Sequence, residues 1–350
     1  MSELIDELAE RSFEAGAIDL FLCEDHPPRM RVHGEVEQAE GEPIKHKILA
    51  EFWKRCGADP EKDLERDVSY VIPGGRRLRV NLYRTLGLLS AVLRPIEEDI
   101  PSFEHLGVPP DLLEVWLQRR AGLILITGPT ASGKSTTLAS CLQWINERYQ
   151  RHVVTIEDPV EYLFHNKKSY FSQREVNADT ASFSSALRAS LRQSPDIILL
   201  GEIRDEESAL IALQAAETGH LVLTTLHSSG VIDTMERLTN LFSEPQRESA
   251  IMLLSLHLIG VLSQQLLPRK DGNLFLVVEH LHNEAATRKW IKERKYGEIL
   301  DFMHRGDSPL NCSFLRYLVA ATEQDILDHD VARSAAPNPQ DYDRAMKGIQ

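Results

Sequence analysis

The sequence predicts a doubly wound α/β domain preceded by a small α+β domain and followed by a mostly helical region. Three observations carry this. Short apolar runs at Leu123–Ile126, Val153–Ile156, Ile197–Leu200 and Leu221–Leu226 are separated by helical stretches, as in a buried parallel sheet. The pattern changes across a proline-rich, acidic stretch from Pro95 to Asp111. A glycine-rich loop, Gly128 to Gly133, joins the first of those runs to a helical one.

In chain order, Leu4, Ile5, Leu8 and Ala15 recur at helical spacing, and Ala17 to Leu22 reads as a strand. Pro27-Pro28 turns the chain into a hairpin from Arg29 to Val36. Leu78, Val80 and Leu82 alternate with Arg79, Asn81 and Tyr83, a strand with one buried face, and a turn at Gly87 leads into Leu88 to Leu93. These signals bound an N-terminal domain at 1–95, an interdomain linker at 96–111, an α/β core at 112–283 and a helical region at 284–350. Within the core, Thr136 to Arg148 and Glu206 to Ala216 are helical stretches. In the last region Leu310, Phe314 and Leu318 share a helix face, and Ala335 to Asp341 reads as a loose, proline-punctuated tail.

Composition narrows the function. The 350 residues suit about two domains, and lysine plus arginine (39) against aspartate plus glutamate (53) leaves a net charge of −14. So acidic a surface repels phosphate backbones, which argues against nucleic acid as a partner. The apolar run Ile251 to Leu262 falls short of the roughly 18 residues of a membrane helix. The first ten residues, MSELIDELAE, lack the layout of a secretory signal. Four scattered cysteines, Cys23, Cys56, Cys141 and Cys312, suit a reducing compartment, so a cytoplasmic protein is expected.

The chemistry starts at Gly128-Pro129-Thr130-Ala131-Ser132-Gly133-Lys134-Ser135, a G-x-x-x-x-G-K-[ST] loop between a predicted strand and a predicted helix. Its glycines let backbone N–H groups curl round a phosphate, and the helix N-terminus, continuing through Thr136, adds partial positive charge. Lys134 reaches β- and γ-phosphates, while Ser135 offers a hydroxyl to Mg2+. ATP and Mg2+ are the expected cofactors. Two acidic clusters follow later strands, Glu157-Asp158-Pro159-Val160-Glu161 and Gly201-Glu202-Ile203-Arg204-Asp205. Strand ends converge on one crevice in such a sheet, so Glu157, Glu161 and Glu202 are candidates to orient water, with Glu202 also a magnesium ligand. A single acid after a strand reads as readily as a helix N-cap or a solvated loop residue; two clusters point to the phosphate. His220 and His227 bracket another strand. Either could pack or cap a helix, and beside a γ-phosphate either could report its presence. Arg188 and Arg192 share a helix face and suit equally a nucleotide, a subunit contact or surface ion pairs.

These motifs, in this order, resemble the hexameric secretion ATPases of type IV pilus and type II secretion machines. Gly128 to Ser135 is similar to their Walker A loop, Thr155 to Glu161 to their Asp box, Pro195 to Asp205 to their Walker B, and Ala216 to Leu221 with Thr225 to Ser228 to their His box. Gly16 to Leu20, Pro27-Pro28 and Arg31 to Gly34 resemble the short N-terminal domain of the retraction ATPases of twitching motility (PilT/PilU type). Ala286-Thr-Arg-Lys-Trp-Ile-Lys-Glu293 resembles their Ala-Ile-Arg-Asn-Leu-Ile-Arg-Glu signature through Ala286, Arg288, Ile291 and Glu293. Asn338-Pro339 and Met346 to Ile349 resemble their closing motif.

The resemblance implies a RecA-like P-loop ATPase domain after a small α+β (PAS-like) N-terminal domain, with a helical C-terminal region. It implies a homo-oligomer, a hexameric ring that hydrolyses ATP to power pilus retraction, with Arg79, Arg84 and Arg94 reaching a neighbour's nucleotide as arginine fingers do. An inner-membrane pilus platform protein and a second retraction ATPase are the implied partners, at the cytoplasmic face of that membrane. The charged stretch Lys289 to Lys295 is the implied platform contact. Related ring ATPases of pilus assembly or secretion, and a RecA-type nucleic-acid translocase, are the competing readings. Two departures stand out. Ala131 replaces a glycine, which the loop tolerates if that position is not at positive φ, and Thr224-Thr225-Leu-His-Ser-Ser replaces Gly-Thr-Leu-His-Thr-Asn.

Overall fold

The computed structural model describes residues 3–32, 34–96 and 99–348. His33 and Ile349, which belong to two of the quoted motifs, lie outside the described residues. The chain forms two compact units, residues 1–98 with 159–163, and residues 99–158 with 164–350.

The first unit runs α1 (Glu3–Glu14), β1 (Asp19–Cys23), β2 (Arg29–Val32), β3 (Glu35–Gln38), α2 (His46–Arg55), β4 (Glu65–Val71), β5 (Arg77–Thr85) and β6 (Leu88–Pro95). Its six strands form an antiparallel sheet in the order β3-β2-β1-β6-β5-β4. Period-two alternation gives the sheet one apolar face, Leu20, Leu22, Leu78, Val80, Leu82, Leu89, Ala91 and Leu93, packed with Ile5, Leu8 and Phe13 of α1 and Leu49, Phe52 and Trp53 of α2. The other face carries the polar positions of the same strands.

The second unit contains α3 (Phe103–Leu106), α4 (Pro110–Leu117), β7 (Gly122–Thr127), α5 (Lys134–Arg148), β8 (His152–Glu157), β9 (Tyr170–Glu175), α6 (Phe183–Ser190), β10 (Ile197–Leu200), α7 (Glu206–Glu217), β11 (Leu221–Leu226), α8 (Val231–Asn240), α9 (Glu244–His257), β12 (Leu258–Pro268), β13 (Leu274–His282), α10 (Ala285–Lys292), α11 (Tyr296–Arg305), β14 (Asn311–Cys312), α12 (Phe314–Glu323), α13 (His329–Ala335) and α14 (Pro339–Ala345). Its eight strands lie in the order β14-β13-β12-β7-β11-β10-β8-β9. The run from β12 to β9 is parallel, and β13 and β14 add antiparallel edges. Apolar clusters cover both faces, which is why these strands read as unbroken apolar runs. Among the described residues, no helix is long and apolar enough to cross a membrane.

Within the proline-rich stretch Phe103 and Val108 are buried, and Ser140 Oγ donates to the Pro101 carbonyl. Two expectations change. Leu310 does not share a helix with Phe314 and Leu318, because β14 intervenes and Ser313 caps a new helix by accepting the Arg316 N–H. The supposed tail is folded, since Asn338 caps α14 and buried Tyr342 donates its hydroxyl to Thr322 Oγ1 at 2.9 Å.

Candidate active site

The order β7-β11-β10-β8 puts four loops at one end of the parallel sheet, because parallel strands all end on the same side. The glycine-rich loop follows β7, the His227 loop β11, the Glu202 turn β10, and Glu157 closes β8. His227 thus sits on the strand between the phosphate loop and the Glu202 turn.

Backbone geometry shapes the phosphate loop. Gly128 has φ 144, and a Cβ there would lie 2.2 Å from the Gln264 carbonyl of β12, so close passage of two chains demands glycine. Gly133 has φ 85 and opens α5, whose first N–H groups face the loop. Lys134 folds inward, with Nζ 3.0 Å from the Gly128 carbonyl and 2.8 Å from that of Pro129. Ser132 Oγ is buried without a hydrogen-bond partner among the described residues, a donor suited to a phosphate oxygen. Buried Gln264 donates to the Ser132 carbonyl at 2.7 Å and braces the loop from β12. Ala131, exposed on the loop, has φ 62, so the condition for painless replacement of glycine is not met.

The acidic clusters are locked to their strands. Gly201 donates its N–H to the Ile156 carbonyl at 2.8 Å, and a Cβ on Gly201 would lie 3.5 Å from Glu157 Cα. The Glu157 and Glu202 turns therefore abut. Thr225 Oγ1 donates to the Gly201 carbonyl at 2.7 Å, tying the strand of His227 to the same turn. His227 Nε2 lies 3.5 Å from Glu202 Oε2. Arg204 donates to Glu202 Oε1, stands 3.6 Å from Asp158 and covers the Phe183 ring. Its bond to Glu202 raises the Arg204 pKa further. A chain His227–Glu202–Arg204–Asp158 thus links three of the four loops.

Other sequence candidates fall elsewhere. His220 starts β11, at the opposite end of the strand, and its Nδ1 bonds the Ala215 carbonyl at 3.0 Å, so it finishes α7. Asp205 is the N-cap of α7, accepting the Ser208 N–H at 2.7 Å. Arg188 pairs with Glu207 on the surface. Glu161 is exposed and belongs to segment 159–163, grouped with the first unit.

The three arginines of the first unit differ. Arg84 donates to the carbonyls of Asp63 (3.2 Å), Gly87 (3.3 Å) and Pro60, a strut within its own unit. Arg94 donates to Asp19 at 2.7 Å, and that bond raises its pKa. Arg79, opposite Ser69 on one side and Arg94 on the other, has no side-chain partner among the described residues.

A cavity of about 670 Å³, lined by Pro129, Thr130, His227, Arg237, Gln264 and Phe314, borders the loop. Arg237 donates to the His227 carbonyl, Asp233 accepts the Ser229 N–H at 2.8 Å, and Thr234 joins Ser228 Oγ (2.7 Å) to Thr127 Oγ1 (3.1 Å). The sequence motifs named Arg204 only as part of its acidic cluster, and did not include Gln264, Arg237 or Glu279. Two had a signal: Gln264-Gln265 and Glu279 are polar insertions in otherwise apolar strands.

Comparison with known proteins follows this geometry. The model of the type II/IV secretion system protein family matches residues 67–296. The chain is 37% identical to the type IV pilus retraction ATPase PilT of Pseudomonas aeruginosa, over 97% of this chain and 99% of that one. It is 36% identical to a twitching motility protein of Neisseria gonorrhoeae, over 89% of this chain and 84% of that one. A crystal structure of the pilus retraction motor PilT with bound ADP superposes with a TM-score of 0.90 at 37% identity, covering 97% of this chain and 99% of that one.

Proposed function

This chain belongs to the type II/IV secretion system protein family, and we propose that within it the chain is an ATP-hydrolysing motor that powers retraction of a type IV pilus. The carrying observation is the junction of Gly201, Glu202 and His227 beside the phosphate loop, in a chain whose likeness to a retraction ATPase runs over 97% of its length.

Backbone N–H groups between Gly128 and Thr136 would hold the β- and γ-phosphates of ATP, with the Lys134 ammonium among them. Ser135 and Glu202 supply a hydroxyl and a carboxylate, the oxygen donors that suit Mg2+, which when bound neutralises charge on the transferring phosphoryl group. Glu157, beside that turn, would orient the attacking water. His227 would contact the γ-phosphate and pass its presence to Glu202 and Arg204. Arg79 and Arg94, on the polar face of the first sheet, would complete the site of a neighbouring subunit in a hexameric ring. Arg84, spent on three carbonyls, has no part in this. The motor would work at the cytoplasmic face of the inner membrane, its exposed basic residues Arg288, Lys289 and Lys292 facing a platform protein, and beside a second retraction ATPase where one is present.

The test is live imaging of labelled pili in the native cell, wild type against Lys134→Ala at the chromosomal locus. Long, numerous pili that no longer shorten are expected. Cells without pili, or with unchanged pilus dynamics, would overturn retraction in favour of assembly or secretion.

A further inference from the structure

Glu279 enters the apolar strand β13 and is 6% exposed. Its Oε2 accepts the Val231 N–H at 2.7 Å, and the Phe314 N–H also favours its ionised form. Val231 and Phe314 are the first residues of α8 and α12. The carboxylate therefore closes the N-terminus of α8 and feels the positive end of the α12 dipole as well. Gly230, the N-cap of α8, has no side chain with which to cap its own helix, so Glu279 supplies the cap from 48 residues further along the chain. The approach is tight: Gly230 has extended backbone, φ −173, and a Cβ there would lie 2.8 Å from Glu279 Oε2.

What α8 holds explains the interest of that anchor. Its first two turns grip the His227 loop through Asp233, Thr234 and Arg237, and Thr234 reaches Thr127, the residue before the phosphate loop. Phe314, on the other helix, lines the same cavity as Thr130 and His227. Burial pushes the Glu279 carboxyl up to about 7, and only backbone N–H groups oppose that push. A core gains nothing from such an acid unless its bonds matter.

We infer that Glu279 is a positioning residue, which fixes the His227 loop through the start of α8, beside the first residue of α12, so that ATP turnover depends on a carboxylate outside the phosphate loop and the Glu157 and Glu202 turns. The inference rests on the reading of His227 as the γ-phosphate contact. ATP itself would sit on Gly128 to Thr136, away from Glu279, so binding and turnover should separate.

The experiment is steady-state ATP hydrolysis by the full-length protein, comparing Glu279→Gln, Gly230→Ala, His227→Ala and the double variant His227→Ala/Glu279→Gln. Glutamine keeps the volume but removes the charge, while Gly230→Ala leaves Glu279 intact and crowds it. We expect kcat to fall at least tenfold in Glu279→Gln with KM for ATP within twofold, and Gly230→Ala to follow in the same direction. In the His227→Ala background, Glu279→Gln should change kcat less than twofold. An unchanged kcat in Glu279→Gln, an equal loss in both backgrounds, or a joint collapse of kcat, KM and melting temperature in both Glu279→Gln and Gly230→Ala would overturn the inference. A wild-type rate in His227→Ala removes the reading of His227 and this route with it. A slow His227→Ala beside a normal Glu279→Gln overturns Glu279 alone.

Discussion

The outer face of the first sheet and the strand ends of the second carry their charges by different means. On the first, side chains hold side chains: Arg94 and Arg31 flank Asp19 at 2.7 and 3.3 Å, and Arg79 lies across from Arg94. At the strand ends of the second, the main chain shares the holding with the side-chain contacts of His227, Glu202, Arg204 and Asp158. Lys134 is bonded by loop carbonyls, Glu279 by the Val231 N–H, and the Glu202 turn by the Thr225 hydroxyl on the Gly201 carbonyl. Guanidinium groups on long stems can leave their partners and reach another surface, whereas main-chain partners come with the fold. On the proposed function, the first region would engage a neighbouring subunit while the second keeps its form.

The sharpest way to test that comparison is to remove one arginine from each face of the first sheet. Arg79→Ala should lower kcat for ATP on the order of 10³-fold, as loss of an arginine finger does, with unfolding stability within about 0.5 kcal/mol of wild type. Arg84→Ala should do the reverse. It loses bonds to Pro60, Asp63 and Gly87 and its place over the Trp53 ring, which costs about 1–3 kcal/mol of stability, and leaves kcat within about twofold. Turnover assays and urea unfolding on the same preparations separate the two. Equal losses of turnover would mean that the arginines are not distinguished by their partners.

A second test asks whether main-chain partners suffice for a buried charge. Burial pushes the Glu279 carboxyl up from 4.5 to about 7. An acid with a raised folded-state pKa binds its proton more tightly when folded. Its contribution is therefore most favourable below pH 4.5 and falls as pH rises towards 7, by about 3 kcal/mol in all, then levels off. Glu279→Gln lacks this slope. Subtracting its stability–pH curve from that of wild type should reveal the fall between about pH 4.5 and 7 and cancel the contributions of the histidines. Parallel curves would show that main-chain N–H groups offset the burial of the carboxylate in full.

The same contrast explains what could be read from the sequence. The phosphate loop, both acidic turns and His227 were legible because each lies within a few residues of a strand end, and an apolar run followed by glycine or acid is a local signal. The helix caps at Asp205 and Asn338 are local too, but they compete with other uses of the same residues, which is how Asp205 came to sit inside a catalytic cluster and Ala335 to Asp341 passed for a tail. Arg79, Arg84 and Arg94 look alike in sequence; the partners that distinguish Arg84 and Arg94, namely Pro60, Asp63 and Asp19, sit 21 to 75 residues away. Glu279 was invisible as an anchor for the same reason, since Val231 is 48 residues distant. His220 was left open between a cap and a phosphate contact, and its bond to the Ala215 carbonyl, just before β11, makes it the cap.

The smallest effect tests backbone strain, of which each region holds an instance. In the first, Leu86 (φ 51) and Gly87 (φ 84) form the two-residue turn between Thr85 and Leu88, and Leu86 is fully exposed. In the second, Ala131 (φ 62) occupies the phosphate loop. A left-handed conformation costs an L-residue roughly 1–2 kcal/mol, and glycine in its place returns about 0.4–1 kcal/mol of that to the unfolded chain as entropy. Leu86→Asn, which suits such a turn and loses no packing, should raise stability by about 1 kcal/mol. Ala131→Gly should raise it by less than about 1 kcal/mol, with KM for ATP unchanged because the loop already holds that conformation. A gain at Leu86 with a loss at Ala131 would mean that the alanine methyl makes a contact in the loop that outweighs its strain. The P-loop would then owe its shape to a side chain as well as to the main chain, and the contrast between the two regions would narrow to their buried carboxylates.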